Sequence, residues 1–168
     1  MKLPYKGAGV ALFKNMGELY GYGVLIGKRT NNPGKGKWSI PGGGYDSRDK
    51  DLKATAEREF REEMELDLFR IVQRNEPVIH RMRFPLFTWN TYMYDVGSWS
   101  MPETRIHEFS EMKFVPIAEL GKYELAFGVK QEVRAFMRKH NRRSKRMQKL
   151  IKKAISEHSE AMDYLKDR

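Results

Sequence analysis

Three consecutive glycines, Gly42-Gly43-Gly44, closely followed by an acidic amphipathic segment, limit what this chain can fold into more than any other feature. Trp38-Ser39-Ile40 reads as a short strand that runs through Pro41 into the glycines. A backbone free of Cβ atoms can approach a ligand or another strand closely. Across Asp51–Leu66, Leu52, Ala56, Phe60 and Met64 recur at steps of four, the spacing of a narrow apolar helix stripe. Glu59, Glu62 and Glu63 stand at i, i+3 and i+4, so on a helix they share a face. Three carboxylates that close repel one another, and a bound hard cation removes the repulsion. Mg²⁺ or Mn²⁺ prefers oxygen ligands and usually keeps waters and substrate phosphate oxygens. Such an ion neutralises phosphate charge and lowers the pKa of a bound water. Arg58, four residues before Glu62, is spaced to brace that carboxylate. A solvated helix face laced with Arg–Glu pairs has the same spacing, and the spacing alone does not choose.

The rest of the chain reads as a sheet with helices. Ala8–Phe13 and Leu19–Ile26 are strand-like and separated by turn residues, which predicts a hairpin. Phe69–Gln73, Val78–Phe84, Phe87–Val96 and Met112–Val115 read as further strands, and Pro116–Leu120 as one helical turn. Gly128–His140 reads as a helix with Val129, Val133, Phe136 and Met137 inward, and Ser144–Leu165 as a separate final helix. This succession of strands and helices fits an α/β (α+β) domain with a mixed sheet and helices on its faces.

The stretch Gly44–Leu66 resembles the Nudix box: Gly, five residues, Glu, seven residues, Arg-Glu-apolar-x-Glu-Glu-x-Gly-apolar. Gly44, Arg58, Glu59, Phe60, Glu62, Glu63 and Leu66 match it in register, and Trp38–Gly43 is similar to its usual approach. Wider similarity runs from about Gly7 to His140 and includes Glu111–Ile117. Two positions depart from the pattern. Lys50 stands where the first Glu belongs, whereas one extra loop residue makes Gly43 the box glycine and puts Asp49 in the acidic place. We favour the second register, because loops tolerate insertions. Glu65 replaces the glycine that lets the chain leave the helix in a left-handed conformation, so the helix is expected to run on or to exit differently.

The resemblance implies an α/β/α sandwich of the MutT type, with an added C-terminal helix. It implies a Mg²⁺- or Mn²⁺-dependent hydrolase of the pyrophosphate bond in a nucleoside diphosphate linked to another group. The candidates are a nucleoside triphosphate, a nucleotide sugar, ADP-ribose, a dinucleoside polyphosphate or an RNA 5′ end. Glu59, Glu62 and Glu63 would hold the metal with a backbone carbonyl of Gly43 or Gly44. The general base stays open among Glu63, Glu111 and Glu108, and Glu62 and Arg58 are assigned supporting catalytic roles. Arg29 and Lys37 are candidates for substrate phosphates, and Trp38, Phe87, Trp89, Tyr92 and Tyr94 for a base, Trp38 and Trp89 first. His80 and His107 are assigned structural or surface roles. A catalytically weak nucleotide sensor or an RNA-binding regulator is the competing function.

Composition adds exclusions. With 40% hydrophobic and 12% aromatic residues, the chain can bury a core. It has no cysteine, so disulfides, thiolate nucleophiles and Cys-based zinc sites are excluded. No apolar run approaches a membrane span, and a cytoplasmic monomer or homodimer without membrane contact is expected. The net charge of +10 is local. Nine basic residues and no acid lie between Arg138 and Lys153, and the remainder is close to neutral. The chain therefore divides into residues 1–140, the hydrolase domain, and 141–168, a basic amphipathic helix with Met147, Leu150, Ile151, Ala154, Ile155, His158, Ala161, Met162 and Leu165 along one stripe. Packing on the domain or on a second subunit is the plainer role for that helix. Arg142, Arg143, Lys145, Arg146 and Lys149 offer the alternative of RNA contact through phosphates.

Overall fold

A computed structural model describes residues 4–73, 75–101 and 108–166, with side-chain detail as far as residue 150. Two compact units are present, Met1–Arg134 and Ala135–Arg168.

The first unit is built on a seven-stranded mixed sheet. β1 (Tyr5–Asn15) is buried without a break from Gly7 to Phe13. That pattern belongs to a central strand covered on both faces. β1 pairs antiparallel with β2 (Tyr22–Arg29) over three residues at their turn, and the predicted hairpin forms. Asn15 starts the turn by accepting the Gly17 N–H on its side chain at 3.0 Å. Along its other edge β1 runs parallel to β6 (Phe87–Asp95), from Tyr5↔Phe87 to Phe13↔Asp95. β5 (Val78–Phe84) joins β6 through the tight Pro85-Leu86 turn. β2 carries β7 (Phe109–Pro116) along its outer edge.

Beyond their three paired residues, β1 and β2 part. β4 (Gly42–Gly44) pairs with β1 at residues 7–9, and β3 (Trp38–Ser39) pairs with β2 at residues 27–28. The forked edge therefore carries the glycine run. Gly42 has φ +151°, and a Cβ there would lie 2.5 Å from the Ala8 carbonyl oxygen, so only glycine fits against β1.

α1 (Leu52–Met64) begins at Asp51, whose side chain accepts the N–H groups of Lys53 and Ala54 at 2.9 Å. Its stripe of Ala56, Phe60 and Met64 is buried against Ala8, Val10 and Leu12 of β1 and Tyr92 and Tyr94 of β6. Burying a phenylalanine such as Phe60 contributes roughly 1.5–3 kcal/mol. The helix neither runs on nor loses its left-handed exit. It stops at Met64, and Glu65 itself takes φ 53°, ψ 26°, with its N–H on the Arg61 carbonyl at 2.9 Å. The geometry normally supplied by glycine is present here at a cost in strain.

Two expectations are corrected. Phe69–Gln73 is not a strand, because α2 (Leu68–Val72) occupies it. Asp67 caps that turn by accepting the Phe69 N–H at 3.0 Å, and Leu68 and Val72 bury one face at i, i+4 spacing. Nor are there two C-terminal helices. α3 spans Val129–Lys166, because Asn141–Ser144 contains neither proline nor glycine to break it. A 3₁₀ turn, Ile117–Lys122, stands where a single helical turn was expected. α1 and α2 cover one face of the sheet, and the first turns of α3, with buried Val129, Glu132 and Val133, meet Trp89 and Thr91 on the other. The mixed sheet with helices on both faces is the expected α/β/α class.

In the second unit, Phe136 and His140 stack at 5.9 Å, and residues 141–150 are all exposed, Met147 and Leu150 included. The apolar stripe from Ile151 onward and His107 lie outside the residues whose side chains are described.

Candidate active site

A cavity of about 570 Å³ opens at the fork between β1 and β2. Its polar lining comprises Gly42–Gly44, Glu59, Glu63, Glu108, Arg29 and Lys37. Its aromatic and apolar lining comprises Tyr5, Met82, Phe87, Trp89 and Phe127, and Glu132 lines it as well.

The polar part is organised by α1 and the glycine run. Glu63 is buried, and its Oε2 accepts the Gly42 N–H at 2.8 Å. Burial, with the neighbouring Glu108 carboxyl adding to it, pushes the Glu63 carboxyl up to about 8. Glu59 is half-buried against the Gly43 backbone, where any Cβ would displace its carboxylate. Burial raises Glu59 as well, and the charges of Glu62 and Glu108 add to the effect while Arg58 opposes it. Glu108 faces both Glu59 and Glu63 and lies 3.6 Å from the Arg29 guanidinium. The Arg29 Nε is buried without a hydrogen-bond partner among the described residues.

Arg58 stands behind this group and uses every N–H it has. Nε donates to Asp49 Oδ1 at 3.0 Å and Nη2 to Asp49 Oδ2 at 2.9 Å. Nη2 also donates to the Gly44 carbonyl at 3.0 Å, and Nη1 to Glu59 Oε1 at 2.9 Å and Glu62 Oε2 at 3.0 Å. The acidic partner in the loop is thus Asp49, whose side chain is 7% exposed, and not Lys50. The Arg58 guanidinium holds the Asp49 carboxyl well below the usual carboxylate range.

The remaining sequence candidates fall on both sides of the cavity wall. Glu62 is 60% exposed, bonds to Arg58 and lies outside the cavity lining, so the three glutamates of α1 do not converge equally. Glu111 pairs with Lys113 at 2.7 Å and does not line the cavity, whereas Glu108, three residues earlier, does. Trp38 is buried edge-on against Tyr123 beneath the Lys113 ammonium, and it too lies outside the lining. Trp89 and Phe87 line the cavity, whereas Tyr92 and Tyr94 pack in the core beneath α1. Lys37 lines it and pairs with the exposed Glu124 at 3.4 Å. Sequence reasoning missed Tyr5, Phe127 and Glu132. For Glu132 a signal existed: Val129, Glu132, Val133 and Phe136 form an i, i+3, i+4, i+7 stripe in which the acid takes an apolar position.

The NUDIX domain family matches residues 4–139. The chain belongs to the Nudix family. Membership supports pyrophosphohydrolase chemistry. No curated protein matches the chain. Solved structures share its fold at low identity. The NUDIX domain of Shewanella oneidensis NrtR, complexed with ADP ribose, is 23% identical with a TM-score of 0.58, over 83% of this chain and 90% of that one. A Caenorhabditis elegans Ap4A hydrolase in a binary complex is 16% identical with a TM-score of 0.56, over 79% and 95%. A bifunctional NMN adenylyltransferase/ADP ribose pyrophosphatase from Francisella tularensis, complexed with AMP and Mn, is 15% identical with a TM-score of 0.66; the match covers 80% of this Nudix chain but only 41% of that protein.

The donor set suits a hard divalent cation. It offers carboxylate oxygens from Glu59 and Glu63 and backbone carbonyls from the glycine run, and both carboxylates are unfavourably charged without a counter-ion. Among the described residues no three acidic or histidine side chains gather closely enough to enclose an ion by themselves.

Proposed function

We propose that this Nudix protein is a Mg²⁺- or Mn²⁺-dependent pyrophosphohydrolase acting on a nucleoside diphosphate linked to a second group. The observation that carries the reading is one cavity lined both by the acids Glu59, Glu63 and Glu108 and by the aromatic Tyr5, Phe87, Trp89 and Phe127, with Arg29 and Lys37 also in its lining. Glu59 and Glu63, with the Gly43 or Gly44 carbonyl, would hold the cation, which supplies charge neutralisation on phosphate and an acidified water. Arg29 and Lys37 pair with phosphate oxygens. Arg58 positions Glu59, and through Asp49 and the Gly44 carbonyl it fixes the loop against α1. Glu62 acts through Arg58. Glu108, one of the two alternatives to Glu63 as general base, faces Glu63 within the cavity and would take a proton from the attacking water, whereas Glu111 lies outside the lining. Phe87 and Trp89 offer flat surfaces to a base.

ADP-ribose and a dinucleoside polyphosphate are the first substrates to try, since the fold neighbours include an ADP ribose complex and an Ap4A hydrolase. The departures from the Nudix box at Lys50 and Glu65 are what a binding-only reading has in its favour. With Asp49 on Arg58 and Glu65 in a left-handed exit, neither position interrupts the acidic wall, and hydrolysis is the stronger reading. The test is a substrate panel with Mg²⁺ or Mn²⁺, scored for release of phosphate, pyrophosphate or nucleoside monophosphate. Metal-dependent release from at least one member supports the proposal. Tight binding without release favours the sensor.

Within the same proposal, residues 1–140 form the hydrolase and 141–168 an added basic helix. Arg142, Arg143, Lys145, Arg146 and Lys149 are all exposed, which suits a salt-dependent contact with an RNA backbone. Among the described residues no helix is long and apolar enough to cross a membrane, and a cytoplasmic location is part of the proposal.

A further inference from the structure

Glu132 is an acid that the proposed reaction does not use. It lies in the first turn of α3, is 2% exposed, and lines the aromatic part of the cavity. Its Oε1 accepts from the Thr91 hydroxyl at 2.5 Å and from the Trp89 indole at 3.2 Å. The indole also donates to Thr91 Oγ1 at 2.9 Å. An indole N–H can only donate, so the Thr91 hydroxyl accepts from Trp89 and turns its own proton onto Glu132. The direction of the network is therefore fixed, and Oε1 is fully engaged as an acceptor.

The second oxygen is different. Oε2 is buried and has no partner among the described residues. Buried polar atoms are nearly always paired, and an orphan on a residue that lines a ligand-sized cavity asks what would pair with it. The helix start explains an acid at this position, since negative charge is favoured there. The Trp89 and Thr91 bonds explain Oε1. Neither accounts for Oε2. Burial pushes the carboxyl up to about 7, against the two hydrogen bonds that favour its charged form, so an added donor would relieve a real penalty. The same cavity is lined by Trp89, Met82, Phe87 and Phe127, surfaces suited to a flat ring and not to phosphate.

We propose that Glu132 is a specificity-determining residue, and that its free Oε2 accepts a hydrogen bond from the exocyclic amine of an adenine-, guanine- or cytosine-type base. The inference rests on the nucleotide reading of the cavity. It assigns the base to the Trp89–Glu132 end and leaves the phosphates at the Arg29 end.

Calorimetric titration of the full chain tests it without turnover. The probes are AMP, GMP, CMP and UMP, with ribose 5-phosphate as the ligand that has no base. UMP lacks the exocyclic amine. In the unaltered protein one amino-bearing monophosphate is expected to bind at least tenfold more tightly than UMP and ribose 5-phosphate. Glu132→Gln keeps an oxygen for Trp89 and Thr91 but puts an N–H donor in place of Oε2. It is expected to remove that tenfold advantage and to leave ribose 5-phosphate binding unchanged. Equal affinity for UMP and the amino-bearing set in the unaltered protein overturns the proposal, with no variant needed. So does a variant that keeps the preference, or one that weakens ribose 5-phosphate equally. If no monophosphate and no ribose 5-phosphate binds, the nucleotide reading falls and takes the proposal with it. If they bind without base preference, only the proposal falls.

Discussion

Replacing Arg58 by lysine keeps the positive charge and removes the fork, which isolates what the guanidinium geometry contributes. Arg58 makes five hydrogen bonds with its five N–H groups, to Asp49 twice and to Gly44, Glu59 and Glu62. An ammonium has three donors, so at least two of these bonds are lost. Charged hydrogen bonds contribute about 1.5–3 kcal/mol each where they are shielded. The Glu62 bond, on a side chain that is 60% exposed, contributes far less. The Asp49 fork carries most of the effect, because Asp49 is 7% exposed and is left partly unpaired. Together these give a loss of about 2–4 kcal/mol. In a chain of this size each kcal/mol moves Tm by about 2–4 °C, so Arg58→Lys is expected to melt about 4–16 °C lower. Differential scanning calorimetry at pH 7 measures it, with Arg48→Lys as the control. Arg48 is 85% exposed and binds only Asp46, and its replacement is expected to leave Tm unchanged. A Tm for Arg58→Lys within about 2 °C of the unaltered protein would refute the view that the loop is pinned by this fork.

Asp49→Asn is expected to reduce turnover more than Lys50→Ala, and the reverse order in steady-state assays would restore the strict register. Arg58 depresses the Asp49 carboxyl, so the pair stabilises the fold above about pH 4 and loses that contribution as pH falls further. The Tm gap between Asp49→Asn and the unaltered protein therefore narrows on acidification; a constant gap from pH 7 to pH 3 speaks against the pairing. Leu86 holds φ +62° in the exposed Pro85-Leu86 turn, and Leu86→Gly is expected to stabilise by about 0.5–1 kcal/mol, read as a raised urea midpoint at unchanged slope. A lowered midpoint contradicts the strain argument. Truncation after His140 is expected to weaken RNA retention on filters at low salt, and equal retention rejects the phosphate-contact role of the helix.

Most of the sheet was legible because its strands keep a period of two or a continuous apolar run, as in β1. α1 was legible from its stripe, while the Asp51 cap that fixes its start came from the structure. Phe69–Gln73 misled because its apolar residues carry no period over so short a run, while the deciding signals were the Asp67 cap and the Leu68–Val72 pair. The acidic wall was legible in type but not in membership. Helical spacing put Glu59, Glu62 and Glu63 together, yet the cavity takes Glu59 and Glu63 and leaves Glu62 outside, because Glu63 borders the buried stripe and Glu62 borders solvent. Glu108 joins them across the sheet, a proximity that depends on the β2–β7 pairing and leaves no trace in local spacing. Trp38 and Trp89 are alike in sequence, and only the fork decides that one is core and the other wall.

Glu59 and Glu63 are proposed to hold a divalent cation for pyrophosphate hydrolysis. Glu63→Gln is the cleanest probe, because the amide oxygen can still accept the Gly42 N–H and the fold is kept. The measurement is nucleoside monophosphate release from ADP-ribose and from diadenosine tetraphosphate, with Mg²⁺ or Mn²⁺ and with chelator, in the unaltered protein and in Glu59→Gln and Glu63→Gln. Release from one of them is predicted to require the metal and to fall at least about a hundredfold in each variant at unchanged Tm. Release that survives chelation, or variants that turn over at the unaltered rate, would contradict it.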